Sequence, residues 1–201
     1  SAPMERTTDT GKTESRAFVI CVVILAVLLG GAAIWGANKQ ALGLFHDDGI
    51  YAVVAKALYH GDGYRIISLP TAPPQTKYPF LYSYLLSWLW SLNPHFPGNI
   101  LLLKALNVGV LVAIFFLAIV FYRRVFPAAR LAALVFAVLV CTNPILFTYT
   151  DYVVSDLLYV LLALAALCIA RTSADSRAST ANPLRLAAIT GLACLTRLAA
   201  A

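Results

Sequence analysis

The chain has 201 residues, 61% of them hydrophobic and 12% charged, and its mean hydropathy is +0.80. Soluble domains carry about 45–50% apolar and about 25% charged residues, so a water-soluble domain is excluded, and so is a disordered chain, which needs low hydrophobicity. Fifteen basic against nine acidic residues leave +6, and because the cations flank apolar runs the excess reads as membrane topology rather than as a nucleic-acid surface. The expected class is an all-α integral membrane protein, a polytopic bundle of about five transmembrane helices with interfacial helices in an outer loop.

Residues 1–15 are polar and read as a cytoplasmic tail; residues 16–201 read as the membrane domain. The first span lies between Arg16 and Lys39, too long for the ~7–15-residue core of a signal peptide and so expected to be retained. Eighteen uncharged residues between Lys104 and Arg123 form the second, starting near Ile100. Leu131–Thr150 is the third, interrupted by Pro144. Tyr152–Ala170 is the fourth, with Asp156 in its first turns. The fifth begins at Pro183 or Leu184 and runs through Arg197; proline is favourable at a helix start. Cys21, Cys141, Cys168 and Cys194 each sit in an apolar run without CxxC spacing, and read as small apolar fillers rather than disulfide or zinc partners.

If the spans alternate, Arg6, Lys12, Arg16, Arg123, Arg124, Arg130, Arg171, Arg177 and Arg185 share one side. The positive-inside rule makes that side cytoplasmic. The loop 38–99, with Lys39, Lys56, Arg65 and Lys77, then faces outward, as do Lys104 and the connection 149–156. Within it, Ile50, Val53, Val54, Ala57 and Leu58 form one apolar helical face over Gly49–His60, with Gly61 and Gly63 as stop signals. Such a helix is expected at the membrane interface. Residues 64–78, with Pro70, Pro73 and Pro74, read as irregular loop. The run PFLYSYLLSWLWSL over 79–92 is too short to span and reads as re-entrant or interfacial, with Trp88 and Trp90 at headgroup depth. Asn93-Pro94 and Pro97-Gly98 break it.

Several residues on this outer side are candidates for chemistry. Asp47 and Asp48 follow His46 just before the loop helix. Two adjacent carboxylates suit a general base or a divalent cation, and equally suit capping of the helix N-terminus. Lys77, before Tyr78-Pro79, suits an anionic headgroup or phosphate, or snorkelling to the interface. Asp151 and Asp156 flank the outer start of the fourth span; Asp156 is an ionisable group at membrane depth and also lies near a helix N-terminus, where the dipole favours it. Arg197, about twelve residues into the fifth span, needs an anion such as a lipid phosphate or Asp156, or else snorkels. His46 and His60 read as structural, Arg65 as a solvated charge, and His95 as uninformative. GxGxxG, Walker A, HExxH and GxSxG patterns are missing from the sequence, so no nucleotide cofactor is expected.

HDDGIYAVVAKALYHGDGY after a first span, followed by KYPFLYSYLL, resembles the start of the polytopic GT-C glycosyltransferases. The likeness is closest to the dolichyl-phosphate-mannose–protein mannosyltransferase-like group and its bacterial cell-envelope relatives. The family's K-Y-P-P-L segment is matched by Lys77-Tyr78-Pro79-Phe80-Leu81, with Phe80 in place of the second proline. Ser155-Asp156-Leu157-Leu158-Tyr159 resembles the acidic start of a later helix, and Gly191-Leu192-Ala193-Cys194-Leu195-Thr196-Arg197 resembles a G-L-A-x-L-T-R segment. The resemblance extends over residues 17–200.

It implies that the chain is the N-terminal part of a longer membrane enzyme. That enzyme would move a sugar from a polyprenyl-phosphate-linked donor to an acceptor hydroxyl on the outer or periplasmic face, with inversion. It implies Asp47 or Asp48 as the base, Asp47 preferred; Lys77, Arg197 and Tyr78 at the donor phosphate; and Asp156 positioning the acceptor. It also implies a possible Mg or Mn ion on Asp47, Asp48 and Asp156. The implied partners are the lipid-linked donor and the bilayer, with no nucleic acid. A transporter or flippase-like subunit and a non-catalytic membrane scaffold are the alternatives; the first predicts inverted repeats and broken helices, the second that the charged residues are replaceable.

Overall fold

The computed structural model describes residues 6–39, 41–43, 46–175 and 181–197. It is all-helical, with 74% of the chain in helix and no strand among the described residues. The helices are α1 (Arg6–Gly36), α2 (His46–His60), α3 (Phe80–Leu92), α4 (Ile100–Val125), α5 (Arg130–Cys141), α6 (Pro144–Thr148), α7 (Asp156–Asp175) and α8 (Ala181–Arg197), with a 3-10 turn at Tyr149–Asp151.

Two described helices are long and apolar enough to cross a membrane: Ser15–Gly36 within α1, and α4. A third crossing exists if Arg130–Cys141 and Pro144–Asp151, bent by 58° at the break, count as one. Among the described residues two to three candidate crossings are thus found where five were expected. The third expected span is broken because Pro144 has no N–H to continue the ladder, while Asn143 caps the new helix by accepting from the Ile145 N–H at 3.0 Å. The fourth begins at Asp156 rather than Tyr152, since Tyr152–Ser155 is drawn out of helix. The fifth is α8, seventeen residues from Ala181 to Arg197, within which Arg185–Leu195 is an apolar stretch of the described residues.

α4 is the centre of the bundle and packs against α1, α3, α5 and α7. Its Leu103, Leu111, Ile114, Phe115 and Ala118 are buried. Ala133, Ala137 and Cys141, spaced by four on α5, are fully buried and let α5 approach α4 closely, as small residues do between membrane helices. The opposite face of α1 leaves Val19, Val23 and Val27 exposed, the surface expected of a helix that meets lipid.

The bundle has two distinct ends. At one, Arg123 lies 5.6 Å from the Phe18 ring, and Arg124 donates to the Cys168 carbonyl at 2.7 Å. At the other, the end of α1 meets the start of α4 and the Tyr149–Asp151 turn. Arg123 lies nineteen positions after Lys104 on α4, about 28 Å at 1.5 Å per residue. That is close to the ≈ 30 Å of bilayer hydrocarbon.

α2 and α3 pack on each other at the α1 C-terminal end. α2 closes in a Schellman motif: Asp62 N–H reaches Ala57 O at 2.9 Å, Gly61 N–H reaches Leu58 O at 3.2 Å, and Gly61 has φ +83°, where glycine alone is unstrained. The expected apolar face is corrected by packing: Tyr51, Ala52, Val54, Ala55 and Ala57 are buried, whereas Ile50, Val53 and Leu58 are only half-buried. The pair Trp88 and Trp90 also splits. Trp88 is 64% exposed, but Trp90 is 2% exposed, stacked on Phe96 with 6.4 Å between rings, because positions two apart on a helix do not share a face.

Candidate functional site

α2 begins at His46, so Asp47 and Asp48 lie inside its first turn rather than before it. The helix dipole favours carboxylates there. Their environments differ. Asp47 is half-buried and accepts a hydrogen bond from the Tyr78 hydroxyl. Asp48 is buried and lies within electrostatic reach of Tyr82 on α3.

Tyr78 is held from behind. Tyr64 donates its hydroxyl to the Tyr78 carbonyl at 2.7 Å, and the Lys77 N–H donates to the Gln75 side chain at 2.8 Å. Pro79 then opens α3 in an extended conformation (φ −70°, ψ 145°). The exposed Lys77 ammonium stands 5.0 Å from the centre of the Tyr78 ring, and the Tyr78 hydroxyl, then the Asp47 carboxylate, hold it above its usual range. Desolvation and the bond to Asp47 push the Tyr78 hydroxyl up, so it stays protonated and donates at neutral pH.

Tyr51 joins this cluster to the rest of the bundle. Its ring lies 5.3 Å from that of Tyr78 and 5.0 Å from that of Tyr82. Its hydroxyl shares a 2.9 Å hydrogen bond with the Ser155 hydroxyl. Burial pushes Tyr51 up to about 12, partly offset by Ser155, with Tyr64, Asp156 and Asp47 adding to the rise. Asp156, the first residue of α7, is thereby within electrostatic reach of both Tyr51 and Tyr82.

The structure thus gathers Asp47, Asp48, Lys77, Tyr78 and Asp156 around Tyr51 and Tyr82. Arg197 closes α8, which packs on α7 and touches α3; its side chain lies outside the described residues, as does that of His46. Among the described residues no three His, Cys, Asp or Glu side chains come together as a metal-binding group. Asp47, Asp48 and Asp156 share neighbours without forming a ligand set.

A second polar layer supports the first, and the sequence reading did not identify it. Lys104, read as a loop cation, is 1% exposed inside α4 and pairs with Asp151, 30% exposed, at 2.7 Å. The same ammonium donates to the Asn38 carbonyl at 2.7 Å, and Asp151 accepts from the Asn38 N–H at 2.7 Å. One turn on, Asn107 donates to the carbonyls of Tyr149, Tyr152 and Val154 at 3.1, 2.8 and 3.0 Å, and accepts from the Tyr82 hydroxyl at 3.0 Å. These bonds satisfy the non-helical backbone before α7, which has no ladder of its own. The available signal was the spacing: Lys104 and Asn107 lie three apart, one polar stripe on an otherwise apolar helix. No family model, curated protein or solved structure matches the chain.

Proposed function

We propose that this chain is the membrane part of a GT-C-like glycosyltransferase, moving a sugar from a polyprenyl-phosphate donor to an acceptor hydroxyl. In this reading α5–α6 is a bent crossing and α7, twenty residues long, is a further one. The Arg123–Arg124 end faces the cytoplasm and the tyrosine–carboxylate cluster faces outward. The observation that carries the reading is the convergence of Asp47, Tyr78 and Lys77 beside Asp156, at the end of the bundle away from the arginines.

Asp47 takes the proton of the acceptor hydroxyl as its oxygen attacks the anomeric carbon. The carbon–oxygen bond to the lipid phosphate breaks, and its electron pair leaves on the phosphate. Lys77, cationic and solvent-facing, offsets that charge, with Arg197 as a second cation. Tyr78 holds the Asp47 carboxylate in place, and Asp156 orients the acceptor. No step is routed through Mg or Mn, since the three carboxylates do not form a ligand set.

The test supplies labelled polyprenyl-phosphate sugars and membrane acceptors to membranes containing the protein. Transfer is expected, with a loss of about 10²–10⁴ in Asp47→Asn at unchanged expression. Transfer unaffected by Asp47→Asn, or no transfer from any donor, overturns the reading. The 58° break between α5 and α6 favours the transport alternative, which would then be tested by flux of the lipid across vesicles.

A further inference from the structure

The arginine end of the bundle carries a groove that the proposed reaction does not use. Phe116 and Val120 stand one turn apart on α4 and are exposed, although α4 is otherwise wrapped by its neighbours. The next turn of the same row brings Arg123 and Arg124, both exposed. Successive residues are turned by about 100°, so these two reach different walls. Arg123 reaches α1, its guanidinium 5.6 Å from the Phe18 ring. Arg124 reaches α7 and donates to the Cys168 carbonyl at 2.7 Å. Val19 beside Phe18 and Leu167 beside Cys168 are exposed as well. The groove therefore has an apolar floor, one wall from α1, one from α7, and a fixed guanidinium on each wall at its mouth.

Charge and depth narrow the occupant. Arg16, two positions before Phe18, is also exposed at this end. The described carboxylates, from Asp47 to Asp156, lie at the opposite end of the bundle. Arg124 spends one of its five N–H donors on Cys168, and Arg123 is held by a ring rather than by a carboxylate. Both stand about 28 Å along α4 from Lys104, at the depth where phosphates border the hydrocarbon. A water-soluble anion would leave Phe116 and Val120 uncovered. A choline headgroup would add a cation beside three arginines. A phospholipid of net negative charge satisfies the floor and the mouth together, as basic pockets between membrane helices do for anionic headgroups.

We propose that the groove on α4 between α1 and α7 seats one anionic phospholipid, its phosphate flanked by Arg123 and Arg124 and an acyl chain along Val120 and Phe116. This is a site of defined geometry, separate from the general placing of arginines on one side of a membrane. It does not depend on the transferase reading.

The full chain in mild detergent is titrated with phosphatidylglycerol, and separately with phosphatidylcholine of the same chains, and bound lipid is counted by native mass spectrometry. Phosphatidylglycerol is expected to bind about tenfold tighter or more, and Arg123→Gln and Arg124→Gln should each weaken it about fivefold. Arg130→Gln removes the same charge from the same end and should leave it unchanged. Arg130 opens α5, which lies on the other side of α4: Tyr122, two positions before Arg124, meets Phe136 of α5 at 5.3 Å. Glycerol 3-phosphate, the headgroup without chains, should not displace the lipid. Helicity and elution volume check that each variant is folded. If the loss of the Cys168 contact unfolds Arg124→Gln, Arg123→Gln carries the test alone. Equal affinity for the two lipids, an equal loss in Arg130→Gln, or displacement by glycerol 3-phosphate overturns the proposal. So does a dimer that excludes phosphatidylglycerol, which would give the groove to a second copy of the chain.

Discussion

Burial holds the Tyr51 proton to about 12 against an ordinary 10, and this makes the residue a reporter of folding. Between those values the native state binds a proton that the unfolded state has released. Stability from Tyr51 is therefore complete below pH 10 and is lost as pH rises from 10 towards 12. Thermal unfolding in detergent should show Tm falling over that window, with a shallower fall in Tyr51→Phe. Equal slopes would place Tyr51 in water. Tyr78→Phe removes a hydrogen bond to a charged group, worth about 1.5–3 kcal/mol, and on the proposed reading transfer should drop about tenfold or more while expression holds. At this scale Asp47, Lys77 and Tyr78 were legible because short-range order in the chain, DD at a helix start and KYP at another, keeps them near helix ends. Tyr51 and Ser155 were not, since a contact across 104 positions leaves no mark in either local pattern.

Lys104 and Asn107 show how one element organises the others. From a single face of α4 they fasten the end of α1, the turn before α7 and Tyr82 of α3. Replacing Lys104 by Met removes the cation from Asp151, which keeps the Asn38 N–H and 30% exposure, and should cost about 1.5–3 kcal/mol; adding Asp151→Leu should recover part of it, because an apolar pair avoids the desolvation of the buried ammonium. Unfolding of the two variants side by side measures this, and an unaffected single variant would contradict the buried pair. α1, α2, α3 and α4 were legible as elements, since unbroken apolar runs and glycine or proline stops mark them. The run 131–150 was legible as interrupted at Pro144 but not as bent by 58°: Asn143 and Pro144 turn it sharply, and hydropathy alone does not register the change of direction. Lys104 misled for the converse reason. A charge at the edge of an apolar run reads as a boundary, whereas here an ion pair lets it sit inside.

For the whole molecule, the decisive feature is the separation of two chemistries by about one bilayer thickness. Arginines occupy one end, and the tyrosine–carboxylate cluster the other. On the proposed orientation, a cysteine introduced at Gly63 should react with a membrane-impermeant maleimide from outside intact cells, and one at Pro127 only after lysis. The reverse pattern would turn the site to the cytoplasm. The most direct measurement supplies a labelled polyprenyl-phosphate sugar to sealed vesicles of known orientation containing the protein. The account predicts transfer only where the Gly63 side faces the added donor, and loss of it in Asp47→Asn. Transfer on the arginine side, or none on either side, would contradict it.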